Sequence, residues 1–175
     1  WLSGVNGVAD AFLGGWQISG LYRHTSGLPV GVGNGRNWPT NWNITGFATP
    51  VKPHPVTSTT KNAPAVAGAP GPNLFPNPTE ALTAYDFTLP GQSGERNGLR
   101  GDGFFTIDMG LGKRFRMPFE GHSLQFRWEV FNVTNSVRFD VNDITLDLGN
   151  TGSFGKYSTT LTNPRVMQFA LRYEW

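Results

Sequence analysis

Residues 165–175, RVMQFALRYEW, decide how this chain is read. Met167, Phe169, Leu171, Tyr173 and Trp175 fall on one face of an extended strand, and Gln168, Ala170, Arg172 and Glu174 fall on the other, because strand side chains alternate with a period of two. One face is wholly apolar and ends in two large aromatics, whereas the other accepts charge. That division suits a strand of a membrane β-barrel, with lipid on the apolar side, a wet lumen on the polar side, and aromatics at the interface.

The same alternation recurs upstream. After Gly14-Gly15, Trp16, Ile18, Gly20 and Tyr22 share a face; Gln17, Ser19 and Arg23 share the other, with Leu21 out of pattern. Phe105, Ile107, Met109, Leu111 and Phe115 oppose Thr106, Asp108, Gly110, Gly112 and Arg114, with Lys113 the exception on the apolar side. Pro118 to Gly121 reads as a tight reversal, and Leu124, Phe126, Trp128 and Val130 then oppose Gln125, Arg127 and Glu129. Beyond Phe131 the alternation fails, which predicts a bulge or strand end near Asn132. The expected architecture is all-β: an antiparallel up-and-down meander of about four long strands, over residues 14–32, 103–117, 123–135 and 165–175. Long outer loops are expected over about 33–99 and 140–163.

Composition narrows the classes. The chain has 175 residues, 13% aromatic and 15% charged, with no Cys and a formal net charge of +2. Charge is well below the roughly 25% of a soluble domain, and a balance so near neutral offers nucleic acid no electrostatic footprint. No apolar run approaches the roughly 20 residues of a membrane helix, which leaves barrel strands untouched. Trp1 is preceded by no Met or signal-peptide pattern, so the chain reads as part of a longer polypeptide.

Of the 13 prolines, 11 lie between Pro29 and Pro90. Such a density is hard to reconcile with helices or central strands, and neither long connection offers a helix or a convincing strand set. A loop of this length is unusual in a compact soluble domain but ordinary on the outer side of a barrel. Without a second apolar layer to cover the aromatic face, lipid is the expected cover. The alternative is a soluble β-rich carbohydrate-binding module using Trp38 and Trp42, whose indoles could stack a sugar ring. In a barrel the same two residues would contact ligand in an outer loop or rest on headgroups.

Catalytic and metal motifs are weak. Gly112-Lys113 and Gly155-Lys156 lack both the leading Gly and the following Ser or Thr of a P-loop. Gly152 to Gly155 lacks the first Gly of a nucleophile elbow and reads as a turn. His24, His54 and His122 are scattered, and Asp140, Asn142, Asp143 and Asp147 miss the EF-hand spacing. Neither an enzyme nor a bound cofactor or metal is expected. Asp108, Arg114, Arg127, Glu129, Arg172 and Glu174 fall on the lumen face. They line a ligand path or plug contact, or, the preferred reading, pair with one another across strands.

Four segments carry a family resemblance: GGWQISGLYRHTSGLPV, ERNGLRGDGFFTIDMGLGKRF, LQFRWEVFNVTN and NPRVMQFALRYEW. Together they resemble the C-terminal barrel strands of TonB-dependent outer-membrane receptors, most of all the Oar-like branch whose members often carry a carboxypeptidase-regulatory-like domain. The resemblance implies an outer-membrane barrel of about 22 strands with an N-terminal plug, importing a bulky ligand. Its implied partners are outer-membrane lipid, the barrel-assembly machinery, and TonB through an N-terminal part outside this sequence. Phe169, Leu171, Tyr173 and Trp175 resemble the terminal assembly signal, although Phe is the more usual last residue.

Overall fold

The computed structural model describes residues 13–37 and 45–175. Its strands are β1 (Trp16–Thr25), β2 (Pro29–Val30), β3 (Gly33–Asn37), β4 (Thr45–Phe47), β5 (Thr49–Pro50), β6 (Thr60–Ala63) and β7 (Gly71–Asn73). A short helix, α1 (Pro78–Leu82), precedes β8 (Tyr85–Asp86), β9 (Leu99–Arg100), β10 (Phe104–Arg116), β11 (Ser123–Phe131) and β12 (Val166–Glu174). The chain divides into two compact units. Among the described residues, one is formed by 13–24, 105–137 and 162–175, the other by 25–37, 45–104 and 138–161.

The first unit is a four-stranded sheet in the order β1-β10-β11-β12. Strands β10, β11 and β12 run antiparallel, with Leu111 opposite Trp128 and Trp128 opposite Phe169. Lys113 lies against the Trp16 ring while Phe105 meets Tyr22, so β1 runs antiparallel to β10 as well. The fold is therefore the expected all-β antiparallel meander. Between β10 and β11 the chain reverses through Gly121, whose φ of +79° is the left-handed conformation that glycine adopts without a Cβ penalty. Met117 N donates to His122 O (3.1 Å) to close the turn.

Two strand ends differ from the sequence reading. The strand expected over 14–32 stops at Thr25, and Pro29–Val30 pairs instead with Leu99–Arg100. The ladder is interrupted at Ser26-Gly27-Leu28, where Gly27 lies so close to the Gly101 carbonyl that a Cβ would fall 2.0 Å from it. The strand expected over 123–135 ends at Phe131, followed by Asn132 at a φ of +53°.

The two long connections, expected to offer neither a helix nor a convincing strand set, carry a short helix, short strands and a core of their own in the second unit. Both connections contribute to one core. Leu74 and Phe75 come from the first and Phe154 and Tyr157 from the second, all buried with Val32, Leu99, Phe139 and Leu146. The Phe75 and Phe154 rings stack at 5.6 Å, and Phe139 stacks on Tyr157 at 5.2 Å. Asn73, also buried, donates to Phe154 O (2.8 Å) and accepts from Phe75 N (2.9 Å). The prolines fit because each element is short. Pro29 and Pro50 sit in two-residue strands of two-stranded sheets, and Pro78 lies in the first turn of α1, where the missing N–H costs nothing. Asn77 caps that helix by accepting from Glu80 N (3.3 Å).

Candidate functional site: the two faces of the sheet

Strand register turns the alternation into two chemically distinct surfaces. On one, Met109, Val130 and Met167 align, as do Leu111, Trp128 and Phe169, and then Phe115, Leu124 and Tyr173. Trp16 packs edge-on against Phe126, and Trp128 stacks flat on Phe169 at 5.9 Å. Much of this apolar face is open, most of all on the outer strands: Ile18 is 73% exposed, Phe169 68% and Leu171 71%. An exposed apolar surface spanning four strands is far more than a soluble monomer tolerates; against lipid it is the low-energy arrangement. Aromatics stand at both ends of this face, Trp16, Phe115 and Tyr173 toward the β10–β11 turn and Tyr22 and Phe105 at the opposite end, with Phe126, Trp128 and Phe169 between them. Phe169, Leu171 and Tyr173 lie on this face of β12, and Trp175 follows the strand with its ring 6.0 Å from that of Tyr173.

The six charges assigned to the opposite face are all partnered. Arg114 reaches Glu174 at 2.7 Å, and Arg172 reaches the same carboxylate at 3.3 Å. Arg127 pairs with Glu129, which also accepts from Gln168 Nε2 at 2.7 Å. Asp108 pairs with Arg23 (3.3 Å) and accepts from Asn132 N (2.8 Å). These contacts link strands that are not all adjacent, since Arg114 and Glu174 lie on β10 and β12 with Ser123 of β11 donating to the same carboxylate at 3.3 Å. Solvated pairs of this kind contribute at most about 1 kcal/mol each. Their consequence is a hydrated, charged wall.

Lys113, the exception on the apolar face, is 5% exposed. Its ammonium donates to Gly14 O at 2.6 Å and lies 5.0 Å from the ring centres of Trp16 and Phe115. A carbonyl and two aromatic faces replace water around the cation, and the contact ties the entry of β1 to β10. Lys113→Ala should cost about 1–3 kcal/mol, because it leaves the Gly14 carbonyl without its partner. Urea unfolding of the full barrel from lipid vesicles measures this, and an unchanged midpoint would show the tie to be idle.

Asn132 ends β11 and gathers three chain segments. Its side-chain Nδ2 donates to Ser136 O (3.1 Å) and Asn163 O (2.9 Å), and its Oδ1 accepts from Ser136 N (3.1 Å). Its own N–H donates to Asp108 on β10. Sequence reasoning located the strand end here but missed the knot. The available signal was an amide residue where alternation fails, inside FNVTN.

In the second unit, His54 Nδ1 lies 3.3 Å from the Tyr85 hydroxyl and its Nε2 3.2 Å from Glu95. Burial, with Glu95 adding to it, pushes the Tyr85 phenol up to about 12; burial raises Tyr157 too. An unfolded tyrosine ionises near 10, so the buried neutral phenols contribute stability that is complete below about pH 10. That contribution disappears as pH rises through the folded value, because the unfolded chain loses its protons first. Unfolding of this unit should therefore become easier between about pH 10 and 12, and Tyr85→Phe should shrink that alkaline loss. A pH series of denaturant midpoints for both proteins tests it; identical alkaline slopes would exclude Tyr85 as a source.

The remaining sequence candidates fall as follows. Trp38 and Trp42 lie outside the described residues. His122 contacts the Tyr173 hydroxyl near the turn, and His24 stacks on Tyr22. Asp140 Oδ1 accepts from Asn142 N (2.9 Å) and Asp147 Oδ1 from Gly149 N (2.6 Å), so both act as turn-forming acceptors. Gly152 and Ser153 lie in a 3-10 turn that leads into the core residue Phe154.

Residues 1–168 match a protein-family model described as an outer membrane beta barrel domain. Neither the curated proteins nor the solved structures contain a match to the chain.

Proposed function

The chain belongs to the outer membrane beta barrel domain family and lies in the outer membrane, and from that premise we propose that it forms the C-terminal strands of a TonB-dependent receptor that imports a bulky ligand. The observation that carries this reading is the two-faced meander, whose strands hold the four receptor-like segments in the family's order. Among the described residues β1 and β12 flank the sheet, and because each backbone group left unpaired in lipid costs several kcal/mol, further strands would close the barrel. Barrel-assembly machinery would insert the chain, and TonB would act through a plug carried elsewhere in the polypeptide. The role is transport rather than catalysis. A soluble carbohydrate-binding module, the alternative from sequence, gives way to the outer-membrane placement.

Energised uptake is the direct test. Cells carrying the full-length receptor should accumulate its ligand only when TonB and a proton gradient are present. Uptake that persists at the same rate without TonB would replace the receptor reading with a passive pore. The reading frame upstream of Trp1 offers a second check, where a plug domain and a TonB-contacting segment are expected.

Topology gives a further expected result. Barrels place long connections outside and short turns inside, and both long connections join strands at the end opposite the Gly121 turn. Val56 and Phe119 are both well exposed, at 78% and 68%. In a background without other cysteines, Val56→Cys should react with a membrane-impermeant maleimide on intact cells, and Phe119→Cys should react only after lysis. The reverse pattern would invert the orientation.

A further inference from the structure

A groove of about 320 Å³ runs along the apolar face from mid-sheet to the end where the long connections join. Ile18, Met109, Leu111, Val130, Val133 and Met167 line it, and Arg165 closes its far end. Among the described residues, Arg165, just before β12, lacks the ion partner that four arginines of this sheet have. Arg23, Arg114, Arg127 and Arg172 project from the polar face, and each pairs with a carboxylate. Arg165 borders the apolar groove and is exposed. Its N–H donates to Asn135 Oδ1 (3.1 Å) and its Nη1 to Val133 O (3.5 Å), and no carboxylate among the described residues pairs with it. The long Val133 contact engages one nitrogen of the guanidinium and leaves most of its five N–H donors for another acceptor.

The surroundings restrict what that acceptor is. The face lies against lipid, so the anion nearest the groove's polar end is a headgroup, and phosphate matches the planar fork of a guanidinium. We propose that this groove is a binding site for a phosphate-bearing lipid, with one acyl chain along Met109, Val130 and Met167 and the phosphate on Arg165. The site lies toward the long-connection end of the strands, hence in the outer leaflet under the orientation argued above. The proposal rests on the outer-membrane placement and not on ligand import, so either can fail while the other stands.

The test uses the full-length barrel purified in neutral detergent, with folding of each variant verified by heat-modifiable migration. Native mass spectrometry reads retention of dimyristoyl phosphatidate, of phosphate-free dimyristoylglycerol, and of glycerol phosphate and inorganic phosphate. The wild-type protein should retain phosphatidate and none of the other three. Arg165→Gln should weaken that retention about tenfold or more, as expected for loss of a charge-assisted pair, while Arg165→Lys keeps part of it. Ile18→Trp, which fills the groove from an exposed rim position, should weaken it without touching the arginine. Arg127→Gln, on the opposite face, should match wild type. Equal phosphatidate retention by Arg165→Gln would overturn the proposal, leaving an arginine that only reaches toward the interface. Equal retention of dimyristoylglycerol, or binding of inorganic phosphate alone, would overturn it too, the first showing a chain-only groove and the second a simple anion contact.

Discussion

Phe169→Arg should destabilise the assembled barrel by about 2–4 kcal/mol, while Gln168→Arg, one residue away, should cost almost nothing. The two positions share a strand and a depth and differ only in the face they occupy. Phe169 stacks on Trp128 and is 68% exposed, whereas Gln168 lies opposite Glu129 and donates to it. In water an exposed aromatic replaced by arginine lies within the small range typical of surface substitutions, about 0.5 kcal/mol. In hydrocarbon the same change buries a charge with no counter-ion. At position 168 the new guanidinium would meet the Glu129 carboxylate across the strand pair. Leu111→Arg and Phe126→Arg should behave like Phe169→Arg. Gln125→Glu should be tolerated, because register sets Gln125 between Arg114 and Arg172. The measurement is reversible urea unfolding from phosphatidylcholine vesicles, followed by tryptophan fluorescence. Equal midpoints for Phe169→Arg and Gln168→Arg would remove lipid from the apolar face.

Asn132→Ala is expected to cost about 3–4 kcal/mol, from two separable sources. The first is polar. The substitution strips the acceptor from Ser136 N and the donor from the Ser136 and Asn163 carbonyls, and because Ser136 is half-buried and Asn163 exposed, water replaces part of this and the polar loss comes to about 2–3 kcal/mol in all. The second is conformational. A φ of +53° is accessible to asparagine but costs alanine about 1 kcal/mol. Asn132→Gly should recover the conformational part alone and fall between the two. Amide exchange near Asp108, Ser136 and Arg165 reports whether the three segments separate. Protection equal to wild type at all three in Asn132→Ala would show that the strand ends hold without the knot.

The parts of this molecule that follow a period of two were legible in the chain. Phe105 through Phe115, Leu124 through Val130 and Met167 through Tyr173 assign their own faces, since a one-residue slip would move every apolar side chain to the wrong side. Even the exception announced itself, as Lys113 is the one cation within an apolar row. Pairing of Asp108, Arg114, Arg127, Glu129, Arg172 and Glu174 could be anticipated as a class, because they share a face. Individual partners could not, since Arg114 reaches past β11 to Glu174.

What only the tertiary structure decided lies in the segments without period. The described residues between Val32 and Leu99, with those from Arg138 to Leu161, fold into one unit around a shared core in which Phe75 and Phe154, 79 positions apart in the chain, stack on each other. Closing loops of that length costs conformational entropy that grows only slowly with length, and no local pattern records which distant ring will repay it. Asn34, fully buried and accepting from Thr88 N (2.8 Å), is unremarkable in sequence for the same reason. Arg165 likewise looks like any strand-end arginine until register sets it beside Val133 and Met167 at the mouth of an apolar groove. Alternation is a property of neighbours along the chain, whereas cores, knots and grooves are properties of residues that meet only after the chain has closed on itself.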